Sequence, residues 1–296
     1  MKIQSNLPLV VLTFPGHFLL TALTIQSYLK HHTPSSVIVI VDDLSQKCWP
    51  GYVQDCKRLY NTTVIPTSLL PAVVNVGSGW LRQQLIKLYL DHLLPFDSWF
   101  FTDGDVEYRC PVPANITPFT LTSGGPIQEK QNFYVTSLLG IDNPGIFVNC
   151  ATITDLSDNL SDVDKFQVCV SNPPFRFMSS FILQKLRDHI KNQHSESLID
   201  IHSKLYSPTN SESHIGVSEW ELLATFEQLI LGKDLNLTFY PSSSIIQNDT
   251  GIKNINDLDY CGTCYCTDSG FERDWWDSKE IKVTDDLWDT ISKIKK

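Results

Sequence analysis

Trp99-Phe100-Phe101-Thr102-Asp103-Gly104-Asp105-Val106-Glu107-Tyr108 is the stretch on which the fold of this chain turns. It opens as an unbroken apolar run, the pattern of a strand buried on both faces in the middle of a parallel sheet. It then delivers two carboxylates separated by one glycine. Alternate residues of an extended chain point the same way, so Asp103 and Asp105 are expected to converge on one point. Gly104 leaves the position between them without a side chain and lets backbone or ligand approach closely. Two carboxylates at the end of a buried strand suit a hard divalent cation, which takes oxygen ligands and shares them with substrate phosphates. A D-x-D also arises in solvated turns; its place directly behind the buried run favours the site.

Upstream, Gly77-Ser78-Gly79 introduces a helix from Trp80 to about Leu90, with Leu81, Leu85 and Leu88 on one stripe, Ser78 as N-cap and Pro95 as stop. Arg82 and Lys87 on this helix are either anion contacts near its unpaired amides or ordinary exposed cations. Further back, Leu9 to Phe14, the helically spaced Phe18 to Lys30 and Val37 to Val41 make strand, helix, strand. This is a βαβ unit, and ligands of such sheets bind beyond the carboxyl ends of the strands. Asp42 and Asp43 lie there; the alternative for either is a local cap. Gln54 to Tyr60 reads as a short helix and Val64 to Pro66 as a short extended segment.

Downstream, Phe133 to Leu139 and Gly145 to Asn149 are expected strands, and Asp155 to Asp164 a surface loop. Ser179 or Ser180 caps a helix running to about Asn192, with Phe181, Leu183, Leu186 and Ile190 facing the core. Ser218 and Glu221 form a capping box for a helix whose apolar face is Leu222, Leu223, Phe226, Leu229 and Ile230, ended by Gly232. Glu219, at the first helical position with nothing obvious to cap, is the better candidate for chemistry. Cys261, Cys264 and Cys266 lack the second pair of ligands that a structural zinc site normally takes. Trp275, Trp276 and Trp288 read as packing of a closing C-terminal segment.

The 296 residues carry 42% hydrophobic and 19% charged side chains, ordinary globular values, and a net charge of -10. That balance disfavours a surface built to coat nucleic acid. No run approaches the roughly 18 apolar residues of a membrane span and no secretory leader is visible, so residence in the cytoplasm, with reduced cysteines, is expected. No repeat or long linker divides the chain. The expectation is one domain over 1–296, its parts being 1–110, 111–240 and a closing segment over 241–296.

Together these blocks resemble the GT-A-fold glycosyltransferases. Val37 to Asp43 resembles the strand whose terminal aspartate contacts the nucleotide base, and Phe100 to Asp105 resembles their metal-binding D-x-D. Trp80-Leu81-Arg82-Gln83-Gln84-x-x-Lys87-Leu88, the D-x-D, and Ser218-Glu219-Trp220-Glu221 are similar, in the same order, to blocks of a group of microbial glycosyltransferases. The resemblance spans roughly Leu9 to Leu231. It departs after Asp43, where a frequent glycine is missing, and over Cys110 to Asp164.

The resemblance implies a Rossmann-like three-layer α/β/α sandwich with a mostly parallel central sheet. It implies a metal-dependent transfer of sugar from a UDP- or GDP-sugar to a glycan, a protein or a modified nucleic acid. The cofactor implied is Mn2+ or Mg2+, on Asp103 and Asp105 with His214 (or His202) as third ligand. Asp42, Asp43, Trp80, Arg82, Gln83, Lys87 and Asp103 would hold the donor, and Glu219 would be the base of an inverting transfer. Two other readings stand beside it: a metal-dependent phosphohydrolase or nucleotidyltransferase, and a catalytically inactive nucleotide-sugar-binding protein.

Overall fold

The computed structural model describes residues 3–4, 6–70, 79–109, 111–112, 117–123, 135, 137–141, 166–169, 175–205, 219–233, 237–239, 245–247, 253–255, 262–264 and 271–294. The elements run β1 (Ile3–Gln4), β2 (Leu9–Thr13), α1 (Phe18–His31), β3 (His32–Thr33), β4 (Val37–Val41), α2 (Tyr52–Tyr60), β5 (Thr63–Pro66), α3 (Gly79–Lys87), β6 (Ser98–Asp103) and β7 (Val106–Tyr108). They continue with β8 (Thr117–Ser123), β9 (Phe166–Cys169), β10 (Phe175–Ser179), α4 (Ser180–His194), α5 (Leu198–Leu205) and α6 (Glu219–Thr225), which passes into a π-helical turn over Phe226–Ile230. The last described elements are β11 (Leu237–Phe239), β12 (Ile245–Gln247), β13 (Lys253–Ile255), β14 (Gly262–Cys264), α7 (Arg273–Ser278) and α8 (Asp285–Ile294).

The fold is mixed α/β around a mostly parallel sheet of order β10-β6-β2-β4-β5. Strands β6, β2, β4 and β5 are parallel, and β10 returns antiparallel along β6. The apolar runs split strictly by parity, as a pleated chain requires. Val10, Leu12, Ile38, Ile40, Trp99 and Phe101 pack on one face with residues of α3, α4 and α6. Leu9, Val11, Val39, Val41 and Phe100 pack on the other with residues of α1, α2 and the C-terminal α7 and α8. Helices therefore cover both faces, which is why β2 shows five buried residues in a row and no alternation. Trp276 is fully buried, so the C-terminal tryptophan cluster does close the second face.

Register brings the strand ends together. Leu12 pairs with Asp103 and Thr13 with Val41, so Asp103, Phe14 and Asp42 leave the sheet along one edge. The chain beyond Asp103 is held down by α1, whose buried hydroxyls form a stripe. Thr21 donates to the Gly104 carbonyl at 3.1 Å, the Val106 N–H donates to Thr24 Oγ1 at 3.0 Å, and the Tyr108 N–H donates to Ser27 Oγ at 3.0 Å. Spacing of three places such residues on one helical face. Gly104 is needed for this contact: a Cβ there would stand 2.3 Å from Thr21 Oγ1 and 2.8 Å from the Leu12 carbonyl oxygen. The close approach expected at Gly104 is thus made by the protein's own backbone and by α1.

Several expectations are corrected. The helix expected from Trp80 to Leu90 ends at Lys87 and is followed by a separate 3-10 turn at Leu90–His92. Positions 135 and 137–139 are helical where a strand was expected, because Val135, Leu138 and Leu139 are read by spacing of three and four on a buried helix face. Phe181 is 57% exposed, while Ile182 takes its place inside. Leu229 and Ile230 are also exposed, since the π-helical turn rotates them off the face that Leu222, Leu223 and Phe226 bury. Ser180 donates its hydroxyl to the Asp97 carbonyl and does not cap α4. Gly145 to Asn149, Ser78, Ser218, Cys261 and Cys266 lie outside the described residues, as do Asp155 to Asp164, while Cys264 ends β14.

Candidate active site at the strand ends

Lys87 is the centre of the site. Its ammonium lies 2.9 and 3.1 Å from the two oxygens of Asp103 and 2.6 Å from Oε1 of Glu219. It is buried, with the Trp220 ring 4.8 Å and the Phe101 ring 5.5 Å away, so aromatic faces supply the rest of its solvation. Burial alone would push the ammonium pKa down; Asp103 and Glu219 more than offset this and hold it up. Burial raises the pKa of both carboxyls, and Lys87 pulls each back. Glu219 is 2% exposed and Asp103 22%, so the open side of the cluster is the Asp103 side.

Helical spacing explains how the cluster is assembled. Gln84 and Lys87 are three apart on α3 and share a face. The Gln84 oxygen accepts the Glu219 backbone N–H at 3.4 Å, and turned over, its amide would donate to the Glu219 carboxylate. From the other side, Arg176 on β10 donates to the Trp220 carbonyl at 3.3 Å and pairs with Glu227. The start of α6 is therefore fixed by two elements before Glu219 meets Lys87. Gln84 belonged to the Trp80–Leu88 block with no role given to it, and Arg176 did not stand out in the sequence. The pairing of Gln84 with Lys87 at i, i+3 was the available signal for the first; the second had none.

Arg82 and Asp42 are not exposed to a donor. Arg82 Nε and Nη2 donate to the two oxygens of Asp42 at 2.9 and 2.8 Å, a buried fork. Asp42 is 0% exposed and Arg82 6%. The pair forms a strut between the end of β4 and α3, where contacts of Asp42 with a nucleobase and of Arg82 with a diphosphate were expected. Asp43 accepts the Thr67 hydroxyl at 3.1 Å and the Ser68 N–H at 2.9 Å, the local capping role. Lys87 likewise faces carboxylates where an anion contact was expected. Gln83 is half-buried on α3, and the Trp80 side chain lies outside the described residues.

Asp105 and His17 both act on the Asp103 carboxyl behind the larger effects of burial and Lys87, Asp105 raising its pKa and His17 lowering it. The two carboxylates nevertheless diverge, Asp103 to Lys87 and Asp105 to His17, whose Nδ1 is 3.9 Å from Asp105 Oδ2. Among the described residues no three His, Cys, Asp or Glu side chains form a closed metal cage. The donor set fits the open kind of site, in which one or two carboxylates hold a hard cation and water and substrate oxygens complete it.

Of the two histidines proposed as third ligand, His214 lies outside the described residues. His202 is 3% exposed on α5, and burial pushes its imidazole down to about 4. That is a core histidine held neutral. Below its ordinary pKa of 6.5 the unfolded chain binds a proton there that the folded chain refuses. Stability present above about pH 6.5 therefore falls towards pH 4, by up to about 1.4 kcal/mol per pH unit. Urea unfolding of His202→Gln between about pH 7 and about pH 5 is expected to lack this slope; an unaltered slope would assign the loss to other groups.

No protein-family model matches the chain, and no curated protein matches it. Among solved structures it is similar to the apo form of WbbM, a bifunctional glycosyltransferase, at 11% identity and a TM-score of 0.37, over 80% of this chain and 39% of that one. It is similar to the galactosyltransferase LgtC with donor and acceptor sugar analogues, at 9% identity and a TM-score of 0.31, over 67% of this chain and 70% of that one. A third is the inositol-1-phosphate CTP transferase from T. maritima, at 10% identity and a TM-score of 0.36, over 99% of this chain and 98% of that one. The chain thus spans about two fifths of the length of WbbM.

Proposed function

We propose that this chain is a metal-dependent glycosyltransferase that moves a sugar from a UDP- or GDP-linked donor to an acceptor hydroxyl. The observation that carries the reading is the pairing of Asp103 and Glu219 with Lys87, with Asp105 close enough to act on Asp103, at the carboxyl ends of the parallel strands, where α/β sheets bind ligands. Two carboxylates on one ammonium, with Asp105 beside Asp103, leave excess negative charge in poorly solvated surroundings, which a divalent cation offsets.

Asp105, with Asp103 in support, would hold Mn2+ or Mg2+, which when bound neutralises the departing diphosphate as a Lewis acid. Lys87 keeps Asp103 and Glu219 fixed relative to each other. Glu219 accepts the proton of the acceptor hydroxyl; a carboxyl whose pKa is raised by burial is a stronger base than one in water. Asp42 and Arg82 act on the donor indirectly, by fixing the ends of β4 and α3, and Gln83 remains the candidate donor contact on α3.

The test uses the wild-type protein with Mn2+, UDP or GDP, and a panel of nucleotide sugars. One nucleotide is expected to raise the melting temperature in the presence of Mn2+, and its sugar conjugate to be hydrolysed or transferred, with EDTA abolishing turnover. Undiminished turnover in excess EDTA would remove the metal. Nucleotide cleavage with no sugar moved would instead mark a phosphohydrolase or nucleotidyltransferase.

A further inference from the structure

We propose that His17 supplies the nitrogen ligand of the cation held at Asp105, and that this donor pair selects Mn2+ over Mg2+. The inference rests on the metal-dependent reading above. Lys87 divides the acidic cluster: its ammonium takes both oxygens of Asp103 and one of Glu219 on the side of α3 and α6. Asp105 is not among the partners of that ammonium, and Nδ1 of His17 stands 3.9 Å from its Oδ2. Ligand atoms bound at about 2.1 Å to one ion lie about 3.0 Å apart at a right angle and about 3.4 Å apart at a tetrahedral angle. A movement of less than about 1 Å brings the pair to that spacing.

Both side chains are held by one helix. His17 closes the 3-10 turn Pro15–His17 that leads into α1, its N–H donates to the Phe14 carbonyl at 2.9 Å, and the Phe14 ring packs on its imidazole at 4.0 Å. The residues flanking Asp105 are tied to the same helix, Gly104 through Thr21 and Val106 through Thr24. The side chains of His17 and Asp105 are only 9% and 14% exposed, so neither wanders in solvent. Such preorganisation is what a weakly bound ion needs from its first ligands. An imidazole nitrogen beside one carboxylate favours a transition-metal ion, whereas Mg2+ prefers an all-oxygen shell.

The test is Mn2+ binding to the full chain without nucleotide, followed by electron paramagnetic resonance with electron spin-echo modulation to detect directly bound 14N. Bound Mn2+ with histidine-type nitrogen modulation is expected in the wild type. His17→Phe, which keeps an aromatic ring against Phe14, should lose the modulation and at least tenfold in Mn2+ affinity, with a smaller loss for Mg2+; His17→Gln checks the same loss in a smaller, polar background. Mn2+ bound without nitrogen modulation, or modulation unchanged in both variants, overturns the assignment of His17 and leaves the metal reading in place. Failure of Mn2+ to bind the wild type, or binding undiminished in Asp105→Ala, overturns the metal reading and this inference with it.

Discussion

Lys87→Met is expected to cost the fold about 3–5 kcal/mol, the range for breaking a buried ion pair by removing one partner. The methionine fills much of the aliphatic volume between Phe101 and Trp220, so the loss is not one of packing. It comes from leaving two carboxylates, Asp103 and Glu219, without the ammonium that lies 2.6 to 3.1 Å from them. Burial already raises the pKa of both carboxyls, and without Lys87 that shift has nothing to oppose it. The folded variant should therefore take up a proton that the wild type does not, and be most destabilised at high pH, where that proton is withheld. Urea unfolding at two pH values measures this. The double variant Lys87→Met, Glu219→Gln provides the control, because removing both partners of a buried pair is far less costly than removing one. It should recover a large part of the loss. If the single variant unfolds at the wild-type midpoint, the ammonium does not hold the site together.

Why Lys87 reads so differently in sequence and in structure is instructive. The strand ends were legible because period and composition determine them: a run such as Val37 to Val41 fits only a strand covered on both faces, and the D-x-D follows from chain order alone. The convergence of Asp103 with Glu219 was half legible, each residue standing out by itself with nothing to join them. Their junction crosses 132 positions of sequence, from Lys87 to Glu219, and depends on α3 and α6 packing on the same face of the sheet. An isolated cation on a helix looks the same in sequence whether it meets solvent, phosphate or a buried carboxylate. The same holds for Arg82, whose Asp42 lies 40 positions away in another element. His17 was invisible for a simpler reason. A single histidine in a Pro-Gly-His turn carries no periodic signal, and only the parallel pairing of β2 with β6 brings it beside Asp105.

Glu219→Gln is expected to lower sugar transfer about 10²–10⁴-fold, the usual contribution of a positioned general base, with nucleotide affinity nearly unchanged. The substitution keeps the shape of the side chain and leaves an amide oxygen to accept from Lys87, which also retains Asp103 at 2.9 Å. Its stability loss should therefore be clearly smaller than that of Lys87→Met. The two variants thus separate two roles. If Glu219 only anchors Lys87, turnover should fall in proportion to the misplacement of Asp103, and metal-dependent nucleotide binding should weaken with it. If Glu219 is the base, turnover falls while Mn2+ and nucleotide binding persist, and Glu219→Asp, which withdraws the carboxylate by one methylene, recovers only part of the rate. The measurement is single-turnover transfer together with nucleotide affinity in Mn2+ for wild type, Glu219→Gln and Glu219→Asp. Near-normal transfer in Glu219→Gln would remove it as base and point to a retaining reaction, in which no carboxylate has to take the acceptor proton and the buried Glu219 serves Lys87 alone.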